Sequence, residues 1–269
     1  MMNANPFNGY CLGPRTMRRT IAILSGIWLG CILATPGCGR DHEKIAEIPP
    51  TDLLLAKEIF DRVVQTYGEC DTYRDTGIMT RTFLAGENVQ EEAQTFSTAF
   101  ERPYRFRFEC REAENRYIVY ADAATVRAWW DAREGIQPMS SLDEAIARAV
   151  GPSNGASHTI PRLLLPERIR GRSLAELLSL ERLSDAMLED VPCYRVTGAD
   201  RSGAPYVVWI DRASFLVRRI DEEHAFSEFN TTDRTVYYPE LNAELPDDAF
   251  HLNVPASGTG RKEITARAQ

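Results

Sequence analysis

The residues that come closest to a chemical motif are Gly151 to Gly155, which read GPSNG and match the G-x-S-x-G pattern of a nucleophilic serine at Ser153. Asp211 and His224 follow in the chain order of a serine hydrolase. That pattern requires a strand before the serine and a helix after it, whereas EAIARAV has helical spacing and Pro152 adjoins the serine. A serine esterase therefore stays only as a remote alternative, and we predict no catalytic residue.

The sequence contains no residue spacing typical of a metal site or a cofactor site. The four histidines are His42, His158, His224 and His251. They lie far apart and form no H-E-x-x-H or paired arrangement. We interpret Asp221 to Glu223 as a solvated strand end, and no glycine-rich phosphate loop joins a strand to a helix. We therefore predict no metal site and no cofactor.

A covalent lipid attachment is predicted at Cys38. From Met17, the predicted true start, two arginines precede an apolar run from Ile21 to Ala34, which is typical of a signal peptide and short for a membrane span. A bacterial lipoprotein is cleaved just before a cysteine, and Gly37 and Cys38 match that box although its leucine is missing. Ordinary secretion and a retained membrane helix stay as alternatives, with Cys31 as a second possible attachment site.

The predicted organisation has one folded domain. Its segments are an N-terminal extension and signal peptide over 1–37, a lipidated cysteine and tether over 38–50, a domain over 51–255 and a disordered tail over 256–269. Three of the 31 basic residues precede Cys38, so the remaining 28 against 39 acidic residues give the mature chain a net charge of −11. This balance argues against a nucleic-acid partner and provides no polybasic patch for anionic lipids.

Three cysteines lie in the predicted domain, namely Cys70, Cys110 and Cys193. In an exported protein two of them could pair, but their spacing does not say which. The alternative is that all three are small buried apolar residues.

A helix and a meander of strands dominate the pattern. We predict that Thr51 caps a helix whose apolar positions are Leu53, Ala56, Phe60, Val63, Val64 and Tyr67. YRFRFECRE then alternates, with apolar residues at Tyr104, Phe106, Phe108 and Cys110. The residues between them, Arg105, Arg107, Glu109 and Arg111, are predicted to face water. Antiparallel strands continue to Leu241, with turns at 200–203 and 211–214, and Phe250 and Leu252 are predicted to pack against the sheet.

The strand pattern is interrupted between about residues 140 and 180. SLDEAIARAV and SLAELLSLERL are predicted to be short helices, and residues 151–171 between them are predicted to be irregular. The insertion is either a lid over a cavity or a packed crossover. The predicted fold class is mainly β (α+β): a single curled antiparallel sheet forming an unclosed half-barrel, with a long N-terminal helix and a helical insertion on its concave side.

The phrases TYRDTG, FSTAFERPYRFRFE, YVVWIDRASFLVRRI and LPDDAFHLNVP resemble the LolA/LolB-like superfamily, in particular its uncharacterised branch of predicted outer-membrane lipoprotein-sorting proteins. The resemblance spans Thr51 to Pro255. It implies an unclosed barrel with helices plugging the concave side and an apolar cavity that receives acyl chains. LolA is a soluble periplasmic carrier and LolB a lipid-anchored acceptor, and Cys38 makes this chain similar to the second.

The predicted function is a non-catalytic envelope lipoprotein that binds a lipid or an acylated protein. The cavity wall is predicted from Phe96, Phe100, Phe106 and Phe108, with Leu163, Leu164 and Leu165 as a gate; the alternative is that these side chains fill the core. We expect a monomer anchored in the cell envelope and facing the periplasm, at the outer rather than the inner membrane. A protein-binding regulator similar to RseB is the alternative from another class.

Overall fold

The computed structural model describes residues 45–254 except 87, 113–114, 132–134, 227–228 and 253. The predicted signal peptide, Cys38, the first part of the tether and the 256–269 tail lie outside these residues. Between residues 45 and 254, no described helix is both long enough and apolar enough to cross a bilayer.

The described residues form one antiparallel sheet of twelve strands. The strands are β1 Thr72–Ala85, β2 Asn88–Glu101, β3 Arg105–Glu112, β4 Asn115–Ala121, β5 Val126–Trp130, β6 Gln137–Pro138, β7 Leu178–Arg182, β8 Ala186–Leu188, β9 Val191–Ala199, β10 Pro205–Asp211, β11 Val217–Ala225 and β12 Asn230–Leu241. Their order is β6-β5-β4-β3-β2-β1-β12-β11-β10-β9-β7, and β8 also pairs with β9. Because β6 and β7 at the two ends are not paired with each other, the sheet is not closed into a barrel, and the fold-class prediction is confirmed.

The first helix, α1, spans Ala56–Glu69 and begins later than predicted. Thr51 does not cap it; instead the Glu58 side chain accepts a hydrogen bond of 2.7 Å from the Leu55 amide. Leu53, predicted on the apolar face, lies before the helix and is 96% exposed. The reason is tertiary: Asp52 accepts hydrogen bonds from Tyr194 and Arg182, which hold this part of the chain extended outside the helix.

The insertion differs from its prediction in two places. Helix α2, Leu142–Ala149, is confirmed, but the stretch predicted as irregular contains helix α3, Ala156–Leu164. SLAELLSLERL is not a helix: a 3-10 turn over Leu174–Glu176 leads into β7, which pairs with β9. Pairing with β9 satisfies the backbone groups of β7, and this outweighs its local helical composition.

The segment predicted as a tether is fixed to the sheet at its end. The Ile48 amide donates to the Asp185 carbonyl oxygen at 2.9 Å, and the Met187 amide donates to the Ala46 carbonyl oxygen at 3.0 Å. Residues 46–48 therefore extend the sheet beside β8.

The core lies between the sheet and its three helices. The buried face of α1 consists of Ala56, Ile59, Phe60, Val63 and Tyr67. It packs with aromatic residues of β1 to β4, with α2 and α3, and with the inward residues of β9 to β12 in one cluster. Phe250 is buried as predicted, with the Arg105 guanidinium of β3 4.2 Å from its ring centroid, and Leu252 is half-buried.

The alternation predicted for β3 is correct at its centre and fails at two positions. Tyr104 precedes the strand and is exposed, whereas Glu109, predicted to face water, is 7% exposed. On the outer face of the sheet Arg107, Arg111 and Arg116 surround its carboxylate. Burial alone would raise the pKa of Glu109, but hydrogen bonds from these arginines hold it down at about 2. Glu109 thus points to the outer face of the sheet, as its position in the alternation predicts, but arginine side chains of β3 and β4 bury it there.

A second buried carboxyl lies on β1 and makes stability depend on pH. Asp75 is 4% exposed, and it accepts hydrogen bonds from the Tyr73 hydroxyl at 2.7 Å and the Thr98 amide at 2.8 Å. Burial nevertheless raises its pKa from 3.8 to about 6. Because the folded carboxyl holds its proton more tightly than the unfolded one, it destabilises the folded state as pH rises from about 4 to 6.

We therefore compare the free energy of unfolding of Asp75→Asn with that of the natural chain at each pH. The difference should shift in favour of the variant by about 2–3 kcal/mol between pH 4 and pH values above 7. Urea unfolding of both proteins at pH 4, 5, 6 and 8 measures this change. A difference that is the same at every pH would show that Asp75 ionises normally in the fold.

Candidate functional site

A row of polar side chains crosses four neighbouring strands at one register. Arg81 on β1 lies opposite Asp233 on β12, which lies opposite Glu222 on β11, which lies opposite Tyr206 on β10. Directly opposed residues point to the same face of a sheet. The Arg81 Nε atom donates to Asp233 Oδ1 at 2.7 Å, and Arg81 Nη1 donates to Asn154 before α3 at 2.9 Å. This row therefore faces the helical insertion.

A cleft of about 410 Å³ lies between this row and the insertion. Its walls are apolar at Ala147 and Val150 of the α2 end and at Leu174 and Leu177 beyond α3. Its polar lining residues are Asp143, His158, Thr159, Arg170, Arg172, Ser173, Asp200, Tyr206 and Glu222. This combination of an apolar wall with a few polar groups is common in small-molecule sites, and the volume is within their usual range.

Arg172 connects the two sides of the cleft. Its Nη1 atom donates to the Tyr206 hydroxyl at 2.5 Å and lies 3.4 Å from Glu222 Oε2 and 3.6 Å from Asp200 Oδ2. The preceding Gly171 has φ of +98°, and a Cβ atom there would lie 2.8 Å from His158 Nε2. Glycine at this position therefore lets the loop turn against the histidine and deliver Arg172 into the cleft.

The titratable groups of the cleft are shifted by their burial. Burial raises the pKa of the Glu222 carboxyl, although Arg172 opposes this change, and burial also raises the pKa of the Tyr206 hydroxyl. Burial lowers the pKa of His158, whose Nε2 atom is hydrogen-bonded to the Arg170 carbonyl oxygen. The interpretation of Asp221 to Glu223 as a solvated strand end is thus wrong for Glu222, which lies under Arg172.

The GPSNG segment is not a nucleophile elbow. It joins two helices, and Ser153 is buried with its hydroxyl donating to the Ala149 carbonyl oxygen at 2.7 Å. Asp211 accepts amides of the β10–β11 turn, and the nearest carboxylate to His224 Nε2 is that of Glu222 at 3.6 Å. Ser153 and Asp211 therefore hydrogen-bond to backbone groups close to them in the chain. Within the described chain, no three His, Cys, Asp or Glu residues are grouped to hold a metal ion.

The predicted wall and gate residues lie in the core. Phe96, Phe100, Phe106 and Phe108 are buried, as are Leu163, Leu164 and Leu165, and all seven belong to the main cluster. The phenylalanines pack on one another, for example Phe96 and Phe108 with ring centroids 6.2 Å apart. None of the seven lines the 410 Å³ cleft. Their role as a ligand surface stays a prediction that requires the insertion to move.

Two other predicted features have simple outcomes. Cys38 lies outside the described residues. Cys70, Cys110 and Cys193 are free, buried thiols, which corresponds to the second of the two alternatives.

Sequence reasoning missed the cleft, although two signals were present. Ile220, Glu222 and His224 alternate in phase, so the two polar residues share the inward side of β11 with a core isoleucine. A charged residue in phase with the core marks a buried polar site. The second signal is the arginine and glycine sequence 168–173, which supplies Arg172.

Comparison with known proteins finds no matching family model and no matching curated sequence. Among solved structures, a LolA superfamily protein from Nitrosomonas europaea is similar at 11% identity over 74% of this chain and 98% of that one, with a TM-score of 0.33. The Mycobacterium tuberculosis lipoprotein LppX is similar at 9% identity over 71% and 97% of the two chains, with a TM-score of 0.41.

A third similar structure is the Pseudomonas aeruginosa MucA/MucB complex, at 11% identity over 73% of this chain and 60% of that one, with a TM-score of 0.39. At these TM-scores the similarities carry no argument about ligand, partner or activity.

Proposed function

We propose that this chain is a non-catalytic envelope protein that binds a hydrophobic ligand, the acyl part of a lipid or lipoprotein, in the cleft beside α3. The observation that carries this proposal is the cleft itself, with apolar side chains of Val150, Leu174 and Leu177 on one side and fixed polar groups on the other. Apolar contact supplies binding energy, while a few polar groups orient the ligand.

A long acyl chain would need more space than the 410 Å³ of the cleft. Helix α3 is bracketed by Gly155 with φ of +92° and Gly171 with φ of +98°, positions where only glycine turns the backbone without strain. We propose that these two glycines let α3 move, and that the movement exposes Phe96 and the phenylalanines beside it. In this proposal Leu163 to Leu165 act as the gate.

Uptake of a fluorescent fatty acid by delipidated protein tests the ligand class and its site. We expect saturable binding of one molecule per chain. The indole of Val150→Trp would fill the cleft and take away the apolar contacts of the ligand, so we expect this variant to bind about tenfold or more weakly. Val89→Trp at the exposed start of β2 is the matched control and should bind normally. Absence of uptake by the natural chain would rule out the function, and normal uptake by Val150→Trp would rule out this cleft.

The attachment to a membrane is part of the proposal. Cleavage before Cys38 and acylation there would anchor the chain in the cell envelope, facing the periplasm, with the outer membrane as the expected location. Two or more acyl chains give stable anchoring, whereas one is marginal. Mass spectrometry of membrane-extracted protein reports the true start, the lipid on Cys38 and any bound ligand together.

An exposed aromatic cluster supports the second candidate, a protein-binding regulator. Phe226 stacks on Phe229 at 4.7 Å, and Phe83 lies 6.3 Å from Phe229, where the β1–β2 and β11–β12 hairpins end. Clustered apolar side chains on a surface are typical of interaction sites. If this candidate is correct, a pull-down with the natural chain recovers one membrane protein, and the chain takes up no lipid. The double variant Phe226→Ser with Phe229→Ser should then no longer recover that protein.

A further inference from the structure

The guanidinium of Arg172 is held in place through one of its three nitrogens. Nη1 makes the hydrogen bond to Tyr206 and the ion pairs with Glu222 and Asp200. Tyr206 and Glu222 belong to strands of the sheet, and Asp200 lies in the turn before β10, so the anchor is rigid. A side chain fixed in this way loses little freedom when its remaining donors bind a ligand.

The opposite edge of the same guanidinium is available. Within residues 45–254, neither Nε nor Nη2 of Arg172 has a hydrogen-bond partner among the described groups, and the side chain is 52% exposed. A Cβ atom on Gly155 would lie 3.8 Å from Nη2, so the absent side chain keeps this edge uncovered. The Nε–Nη2 edge of an arginine matches the two oxygens of a carboxylate or phosphate.

We propose that the ligand of the cleft is a single-chain amphiphile with an anionic head, whose carboxylate or phosphate binds the Nε–Nη2 edge of Arg172 while its chain lies along Val150, Leu174 and Leu177. This inference rests on the proposed function and adds the chemistry of the head group. Arg170 supplies a second positive charge in the lining.

The carboxylates of the cleft are already engaged with other groups. Asp200 Oδ1 accepts the amides of Ser202 at 2.8 Å and Ala204 at 3.1 Å, and Asp143 accepts the Arg170 amide at 2.7 Å. Glu222 and the other oxygen of Asp200 lie beside Nη1, on the anchored side of Arg172. The incoming anion therefore meets donors at the open edge, and the acidic side chains lie behind it.

Calorimetric titration with four C12 amphiphiles, below their micelle-forming concentrations, tests the head group. The probes are dodecanoate, dodecyl phosphate, dodecanol and dodecyltrimethylammonium. We expect the two anions to bind about tenfold or more tighter than dodecanol, as one charge-assisted bidentate contact provides. In Arg172→Gln this preference should disappear, because the glutamine amide has no cationic edge to bind the anion.

Two variants keep the test interpretable. Tyr206→Phe removes one anchor but retains the guanidinium, so it should lose only part of the preference, and Arg201→Gln, an exposed arginine paired with Glu176, should keep all of it. Equal affinity for all four probes, tightest binding of the ammonium, or a preference that survives in Arg172→Gln would each overturn the inference while leaving the proposed function intact.

Inorganic phosphate and acetate are titrated alongside to separate a lipid head group from a free anion. If inorganic phosphate binds as tightly as dodecyl phosphate, the cleft is a site for a free anion, and the proposal of an amphiphilic ligand is overturned. If no amphiphile binds, the proposed function fails and the inference fails with it.

Discussion

Replacing Phe108 by alanine is expected to lower the free energy of unfolding by about 3–5 kcal/mol, the usual cost of removing a buried phenylalanine. Phe108 is 0% exposed and packs on Phe96 within the main core cluster. It lies between Thr98 on β2 and Val119 on β4, so the paired strands on both sides limit collapse of the site. Urea unfolding measures the loss.

The matched control is Phe226→Ala, in which the same atoms are removed from a side chain that is 54% exposed. We expect that variant to lose about 1 kcal/mol or less. The comparison separates the two interpretations of Phe108, because a residue that lines an open, solvent-filled cavity would cost little more than the control. Equal losses in the two variants would contradict the packed core.

Replacing Arg182 by methionine is expected to cost about 3–5 kcal/mol, because it leaves a buried carboxylate without its main partner. The Arg182 guanidinium donates to both oxygens of Asp185, at 3.1 and 2.8 Å, and to Asp52 at 2.8 Å. The Asp185 side chain is 0% exposed, and Arg212, at 3.5 Å, is a more distant cationic partner than Arg182.

This arginine also fixes the entry of the chain into the domain. It donates to the Leu54 carbonyl oxygen at 2.9 Å, so the loss of Arg182 should loosen residues 46–55 before the whole domain unfolds. We expect faster amide hydrogen exchange at Ile48 and faster proteolysis in this segment.

Two further variants show whether the lost ion pair is the cause. Arg201→Met, at an exposed pair with Glu176, should cost less than about 1 kcal/mol. Adding Asp185→Leu to Arg182→Met should recover part of the loss, because the unpaired charge is then gone. If the double variant is as unstable as the sum of the two single variants, the ion pair does not explain the effect.

The sequence determined the fold class because alternation of apolar side chains is a local property. In β3 the inward Phe106 and Phe108 alternate with charged residues, and the hairpin turns at 200–203 and 211–214 are set by their own aspartates and glycine. The buried positions Ala56, Phe60, Val63 and Tyr67 of α1 followed from helical spacing, although the start of the helix did not. Val64, predicted on the apolar face, is 37% exposed, and the buried Ile59 was not among the predicted positions. In each case the residues that decide the structure are neighbours in the chain.

Tertiary structure decided the candidate site, because its groups meet only after the sheet has formed. Arg172, Asp200 and Glu222 come from three distant segments, and β7 became a strand only because β9 offers it a partner. Whether the aromatic residues of β2 and β3 line a cavity or fill a core depends on what packs over them, and in this structure they share one buried cluster with residues of α1, α2 and α3. Periodicity gives the face on which a side chain lies, whereas its neighbours across the core are set by contacts far apart in the chain.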